Sequence, residues 1–137
     1  MAHTARDYMS RKFVTFRPDM DVLEATDLMV RHGISGGPVV DRTGNLVGVL
    51  SEIDCLRGAV EGSYHGSGGG YVREVMRTEF ETIDVDDSIM HVARMLINRK
   101  DYYYRAFPVM KHNRVVGRIM LRDVLGALED MSRENNG

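Results

Sequence analysis

The sequence predicts a mixed fold, α/β (α+β), made of two β-α-β-β-α repeats related by a pseudo-two-fold axis. Three observations carry this prediction. Met9, Thr15, Asp19, Val22, Leu28 and Met29 are matched 67 residues later by Met76, Thr82, Asp86, Ile89, Met95 and Leu96. Pro38-Val39-Val40 returns as Pro108-Val109-Met110 at an offset of 70, and residues 48–54 return as 117–123 at an offset of 69. Within each copy, apolar residues recur first at helical spacing and then in short β-prone runs. So long a period exceeds that of solenoid repeats and suits a duplicated small domain. A unit of about 60 residues buries only about 60% of its unfolded surface, so the halves are expected to share a core.

Residues 13–16 form a short β-prone stretch, closed where Pro18 holds Arg17 in extended geometry. Asp21 occupies an N-cap position, with Glu24 three residues on as in a capping box. Val22, Ala25, Leu28 and Met29 then mark a helix, and Gly33 sits where a left-handed C-cap belongs. Pro38-Val39-Val40 predicts a buried strand, residues 41–45 a turn, and residues 46–50 the returning strand of a hairpin. Ser51 caps a second helix through Leu56 and Ala59. The second copy repeats this order: Thr82 and Ile83 in the first strand, Ser88 as N-cap, Ile89, Val92, Met95 and Leu96 along the helix, and residues 115–120 as the return strand. Expected boundaries are residues 1–60 for the first repeat, 61–72 for a connection, 73–130 for the second repeat and 131–137 for a polar, frayed tail. The connection is flexible by composition, with five glycines in residues 61–70.

Composition excludes several function classes. Eighteen basic and 20 acidic residues give a net charge of −2, spread without clusters, so no footprint for nucleic acid or an anionic membrane is present. Cys55 is the single cysteine, which excludes an internal disulfide and fits a reducing compartment. No apolar run approaches the ~20 residues of a membrane span, and the N-terminal residues lack the apolar core of a signal peptide. A cytoplasmic protein is expected. The five histidines show no metal-ligand spacing. The glycines of residues 66–70 lack the Lys-Ser/Thr ending of a phosphate-binding loop. Glu52 and Asp54, at a helix start that does not desolvate them, form no acid–base pair. No catalytic constellation is present, and the chain is not expected to be an enzyme.

The element order in both halves, with Pro-Val-Val followed by Gly-Val-Leu-Ser-Glu-Ile-Asp at residues 48–54, resembles a tandem of CBS domains, the modules named after cystathionine β-synthase, whose pairs are often called Bateman modules. The resemblance covers residues 5–130 and implies that the two repeats pack through their small sheets. It implies an adenosine-containing ligand (AMP, ADP, ATP or S-adenosylmethionine) held in the cleft between the repeats, and occupancy converted into a change of shape or assembly. On that resemblance Asp54 and Asp123 accept hydrogen bonds from ribose hydroxyls, and Ser51 helps to hold sugar or phosphate. Thr15 and Thr82 face adenine or phosphate, Ser35 and Gly36 let backbone approach the ligand, and Arg105 contacts phosphate.

Each assignment has a plainer counterpart in the residues themselves. Ser51 to Asp54 reads equally as an ordinary helix start, with Ser51 as cap and Asp54 favourable to the helix dipole. Thr15 and Thr82 suit half-buried strands, and Arg105 suits an exposed surface. Tyr102, Tyr103 and Tyr104 suit packing better than stacking on a base. Met120 departs from the family's Ser or Thr at the second site and makes Ser51–Asp54 the better of the two. The resemblance also implies a homodimer formed through helix faces, where Met29, Met90 and Met95 lie, and an unidentified regulated protein partner. The alternative is a ligand-free unit for dimerisation or partner docking.

Overall fold

The structure, a computed structural model, describes residues 3–65, 70–99 and 106–136. The elements follow in the order α1 (Ala5–Tyr8), α2 (Val22–His32), β1 (Gly36–Val40), β2 (Leu46–Ser51), α3 (Glu52–His65), α4 (Val72–Val75), β3 (Ile83–Asp84), α5 (Ile89–Asn98), β4 (Ala106–Lys111), β5 (Arg114–Met120) and α6 (Leu121–Asn136). Caps lie where the sequence placed them. Asp21 accepts from the Leu23 N–H at 2.7 Å, Ser88 accepts from the His91 N–H at 3.1 Å, and Gly33 closes α2 at φ 61°. Asp41 organises the first hairpin loop by accepting from the N–H groups of Thr43 and Asn45. The second hairpin is tighter and turns on His112 and Asn113, both at positive φ, as a two-residue loop requires.

The duplication extends to irregularities of the sheets. β1 pairs antiparallel with β2 and β4 with β5, and each ladder slips register at the same matched place, between Val39 and Val40 and between Val109 and Met110. The stretch expected to be a strand at residues 13–16 is reduced to one parallel bridge between Phe16 and Val39. Proline explains this. Phe16 donates to the Pro38 carbonyl at 2.9 Å and accepts from Val40 at 2.9 Å; continuing the ladder back to Val14 would need a donor at the Pro38 nitrogen, which has none. β3, paired in parallel with Val109 and Met110 just after Pro108, is only two residues long, and Thr82 lies just before it.

The chain folds into two compact units that do not follow the order of the repeats. One comprises residues 14–80; the other comprises residues 1–13 with 81–137. Each repeat's leading segment completes the other repeat's unit, by the same device. In the first, Arg77 exchanges two backbone hydrogen bonds with Val49, at 2.9 and 3.0 Å; in the second, Ser10 exchanges two with Arg118, at 2.8 and 2.9 Å. Both crossings pass over a glycine that must be one. A Cβ on Gly48 would lie 2.7 Å from Met76 Sδ and 2.9 Å from the Arg77 carbonyl, and a Cβ on Gly117 would lie 2.7 Å from Met9 Sδ and 2.8 Å from the Ser10 carbonyl. The matched methionines, Met9 and Met76, thus do the same packing work.

Through this exchange each half of the chain contributes a buried side chain to the core built mainly by the other. Buried side chains gather in two clusters, one within each unit: Phe16, Val22, Val39, Leu50 and Val72 in the first, and Ala5, Ile83, Phe107, Val109, Ile119 and Val124 among those in the second. The exchanged segments supply Val72 and Ala5, and burying a side chain of valine's size contributes about 1.5–3 kcal/mol. Two further expectations change. Helix α3 continues to His65 through part of the expected connection, since one glycine within a helix costs only about 1 kcal/mol. Helix α6 continues to Asn136 through the expected frayed tail, where Arg133 pairs with Glu129 and Asp130. Met29 is buried in the core and Met95 packs against the other core, which leaves Met90 as the exposed one of the three. No helix among the described residues is long and apolar enough to cross a membrane.

Candidate functional site

The site grows from the open end of the β1–β2 hairpin. Gly36 stands opposite Ser51 in the register, and the Ser35 carbonyl accepts from the Glu52 N–H at 2.9 Å. Strand β2 therefore delivers Ser51 directly into the first turn of α3. There Ser51 and Asp54 form a reciprocal capping box. The Asp54 N–H donates to Ser51 Oγ at 3.2 Å, while Asp54 Oδ2 accepts from the Ser51 N–H at 3.0 Å and from its hydroxyl at 2.8 Å.

That arrangement occupies only one carboxylate oxygen. The other, Oδ1, faces two guanidinium groups: Arg57 Nη1 at 3.4 Å, one turn along the same helix, and Arg77 Nε at 3.5 Å, from the segment that crosses over Gly48. Asp54 is 1% exposed and Ser51 is fully buried. The sequence reading held that a helix start leaves Asp54 solvated, and the structure contradicts this. Strand β2 is flanked by β1 on one side and by the Arg77 backbone on the other, so the helix start lies inside the unit. A buried carboxylate needs charged or hydrogen-bonded partners, and here it has both. Glu52, by contrast, is exposed. Cys55 is also buried; burial and then the nearby Asp54 charge push its thiol up, against the lowering hydrogen bond from Thr26, so it is no ready nucleophile.

The matched site in the other unit keeps the backbone and changes the chemistry. Asp123 Oδ2 accepts from the Met120 N–H at 2.8 Å, as Asp54 does from Ser51. No hydroxyl is present, because Met120 stands in place of Ser51, and its sulfur lies against the Arg118 guanidinium. Asp123 is half-buried. By the offsets of the repeats, Gly126 stands where Arg57 does and Ser10 where Arg77 does, so neither arginine has a counterpart.

Of the residues expected at the site, the structure brings together Ser35, Gly36, Ser51 and Asp54. Thr15 and Thr82 are exposed and flank the short parallel pairings. Arg105 and Tyr102 to Tyr104 lie outside the described residues. Sequence reasoning missed Arg57 and Arg77. Arg57 was accessible from its spacing of three after Asp54 on a helix; Arg77 was not, because only the exchange of segments brings it to β2.

A family model for the CBS domain matches residues 5–61 and 72–130. The chain belongs to the CBS-domain family. Among solved structures it is similar to the CBS-pair protein CBSX2 of Arabidopsis thaliana in complex with AMP, at 24% identity and a TM-score of 0.80, covering 95% of this chain and 98% of that one. It is also similar to the CBS domain pair of protein MJ0100 in complex with 5′-methylthioadenosine and S-adenosyl-L-methionine, at 23% identity and a TM-score of 0.74, covering 96% and 99%. An uncharacterised protein of Methanocaldococcus jannaschii is 29% identical over 91% of this chain, which spans 32% of that relative. A further relative from that organism, L-aspartate semialdehyde sulfurtransferase, is likewise much longer, the chain spanning 22% of its length at 26% identity.

Proposed function

We propose that the chain is a regulatory module that binds an adenosine-containing ligand at Ser51 and Asp54. The observation that carries this reading is the divided carboxylate of Asp54: one oxygen is committed to the helix cap, and the other is kept for partners outside that helix turn. A ribose diol placed at Oδ1 would donate to it, and such charge-assisted hydrogen bonds are worth about 1.5–3 kcal/mol each when sheltered. Ser35 and Gly36 bring backbone to the same end of the hairpin. The complexes of CBSX2 with AMP and of MJ0100 with 5′-methylthioadenosine and S-adenosyl-L-methionine support the ligand class by similarity of fold. Ligand occupancy would act on a partner or on further domains by favouring the conformation to which the ligand binds better. A second copy of the chain would cover the exposed apolar side chains of the helices, such as Val30, Leu56, Ile97 and Leu125. The chain supplies no catalytic group in this reading.

A second reading is a ligand-free unit for dimerisation or docking. The capping box favours it, since Ser51 and Asp54 satisfy one another locally. Equilibrium dialysis of the wild type against AMP, ADP, ATP and S-adenosylmethionine separates the two. Saturable binding of any of them is the expected result, and four flat isotherms would leave the docking unit.

A further inference from the structure

We propose that His3 is a proton-operated latch: with its proton it fastens the last turns of helix α6 to the N-terminal segment, and without it those turns come free. All of the groups involved lie in one unit, residues 1–13 with 81–137.

The N-terminal segment is itself anchored through its backbone. The His3 carbonyl accepts from the Ile89 N–H at 3.0 Å, and Ala5 and Arg6 donate to the carbonyls of Asp87 and Val85 at 2.9 and 3.0 Å. Helix α6 meets this segment through side chains. Ala127, Asp130, Met131 and Glu134 follow at spacings of three and four and so share one face of the helix. Ala127 is buried and Met131 packs against the core. The two acids of that face reach the segment. Glu134 Oε2 lies 2.8 Å from His3 Nε2, His3 Nδ1 lies 2.8 Å from the Tyr8 hydroxyl, and that hydroxyl lies 3.1 Å from Asp130 Oδ2.

The protons available along this chain fix the state of the ring. Its three contacts need three hydrogens. Carboxylates, ionised at neutral pH, only accept. Tyr8 has one hydrogen, which goes to Asp130; burial, and then that bond, raise the phenol above its ordinary value and keep the hydrogen on it. The Tyr8 oxygen must then accept from His3 Nδ1, and Glu134 must accept from Nε2. A neutral imidazole carries one N–H and an imidazolium two. Only the imidazolium completes the chain.

The surroundings set the direction of the response. On α1, the Thr4 N–H and hydroxyl hold the Asp7 carboxyl below its ordinary value and the charge of His3 adds to this, while Arg6 is paired with Asp86. Arg133 on α6 pairs with Glu129 and Asp130, and His91 on α5 lies beside Asp87. The His3 side chain is 12% exposed. Loss of its proton therefore leaves a bare ring nitrogen against an acceptor, with little water between them. Glu129, Asp130 and Glu134 would then stand near the helix C-terminus, where negative charge is unfavourable, with Arg133 as the basic residue of the last turn. By linkage, the form that holds the extra proton gains as pH falls. The latch is complete on the acid side of the ordinary imidazole value, about 6.5, weakens on the alkaline side, and is bounded at about 4 by protonation of carboxylates.

The device belongs to this chain and not to the shared fold. His3 and Glu134 both lie outside the residues that match the family model, 5–61 and 72–130. In the other unit Gly70 and Val75 stand at the positions matched to His3 and Tyr8.

The test is amide hydrogen exchange of residues 131–135 in the full chain, as protection relative to the intrinsic rate, at about pH 5.5 and about pH 8. Protection in the wild type should fall at least about tenfold between the two. His3→Gln should show the lower protection at both. Glu134→Gln, whose amide can donate to an unprotonated Nε2, should show nearly equal protection at both. Glu134 is exposed, so this variant covers a His3→Gln protein that does not fold. His32, His65, His91 and His112 remain in both variants, so a pH dependence that persists there belongs to another group and would overturn the proposal. Wild-type protection that is unchanged, or that rises, between the two pH values would overturn it as well.

Discussion

The two units place the same backbone under different chemistry. Their bulges, bridged glycines and crossing methionines match position for position, whereas the residues at the helix start after the hairpin do not. In one unit a serine hydroxyl, a buried carboxylate and two arginines meet; in the other a methionine, a half-buried carboxylate, a glycine and a serine stand at those places. The fold constrains the positions where backbone passes over backbone and leaves the helix start free to diverge. The units therefore differ in the chemistry of the helix start and not in the path of the backbone.

The largest break in the comparison should come from removing the two carboxylates. Asp54→Ala leaves the fully buried Ser51 N–H and hydroxyl without their acceptor, and should cost about 3 kcal/mol in urea unfolding. Asp123→Ala removes one acceptor from a half-buried cap and should cost about 1 kcal/mol. Equal losses would mean that the burial of Asp54 carries no energetic weight.

Where the units agree, the effects should agree. Gly48→Ala and Gly117→Ala each force a Cβ to within 2.9 Å of backbone oxygen and against a methionine sulfur. Each should destabilise by about 2 kcal/mol, and a large disparity would show that the two crossings are not equivalent. Gly126→Ala should act in the opposite direction. In an exposed helix with no neighbour near the new methyl group, it should stabilise by about 1 kcal/mol.

The smallest effect is confined to one hairpin. The Asn45 N–H and the Thr43 hydroxyl hold the Asp41 carboxyl below its ordinary value of 3.8. A depressed folded-state value makes the contribution to stability complete above the unfolded value and lost as pH falls through the folded one. Asp41→Ala should therefore be less stable than wild type at neutral pH, and the difference should close below pH 3.8. The second hairpin, which turns on His112 and Asn113, has no such carboxylate and should show no matching change on substitution of Asn113.

Much of the fold was legible because its signals are local. The duplicate matches, the caps at Asp21 and Ser88, the left-handed Gly33 and both hairpins follow from residue types at fixed spacing. The exchange of segments was not legible. Met9 and Met76 were visible as a matched pair, but nothing local states that each crosses over a glycine of the other repeat. The same blindness hid Arg77 and the burial of Asp54. The stretch at residues 13–16 was overread as a strand because the missing donor belongs to Pro38, a residue of its neighbour. At the site, Ser51 and Asp54 were legible as a cap, and the cap is what the structure contains. That one oxygen remains for other partners is visible only in three dimensions.

The central claim is that the Asp54 site alone binds ligand, and the most direct test is the stoichiometry of AMP binding by calorimetry in wild type, Asp54→Asn and Asp123→Asn. Asparagine keeps the size of the side chain and removes the charge. One AMP per chain, abolished by Asp54→Asn and unaffected by Asp123→Asn, is the predicted result. Binding that survives Asp54→Asn and disappears in Asp123→Asn would contradict it.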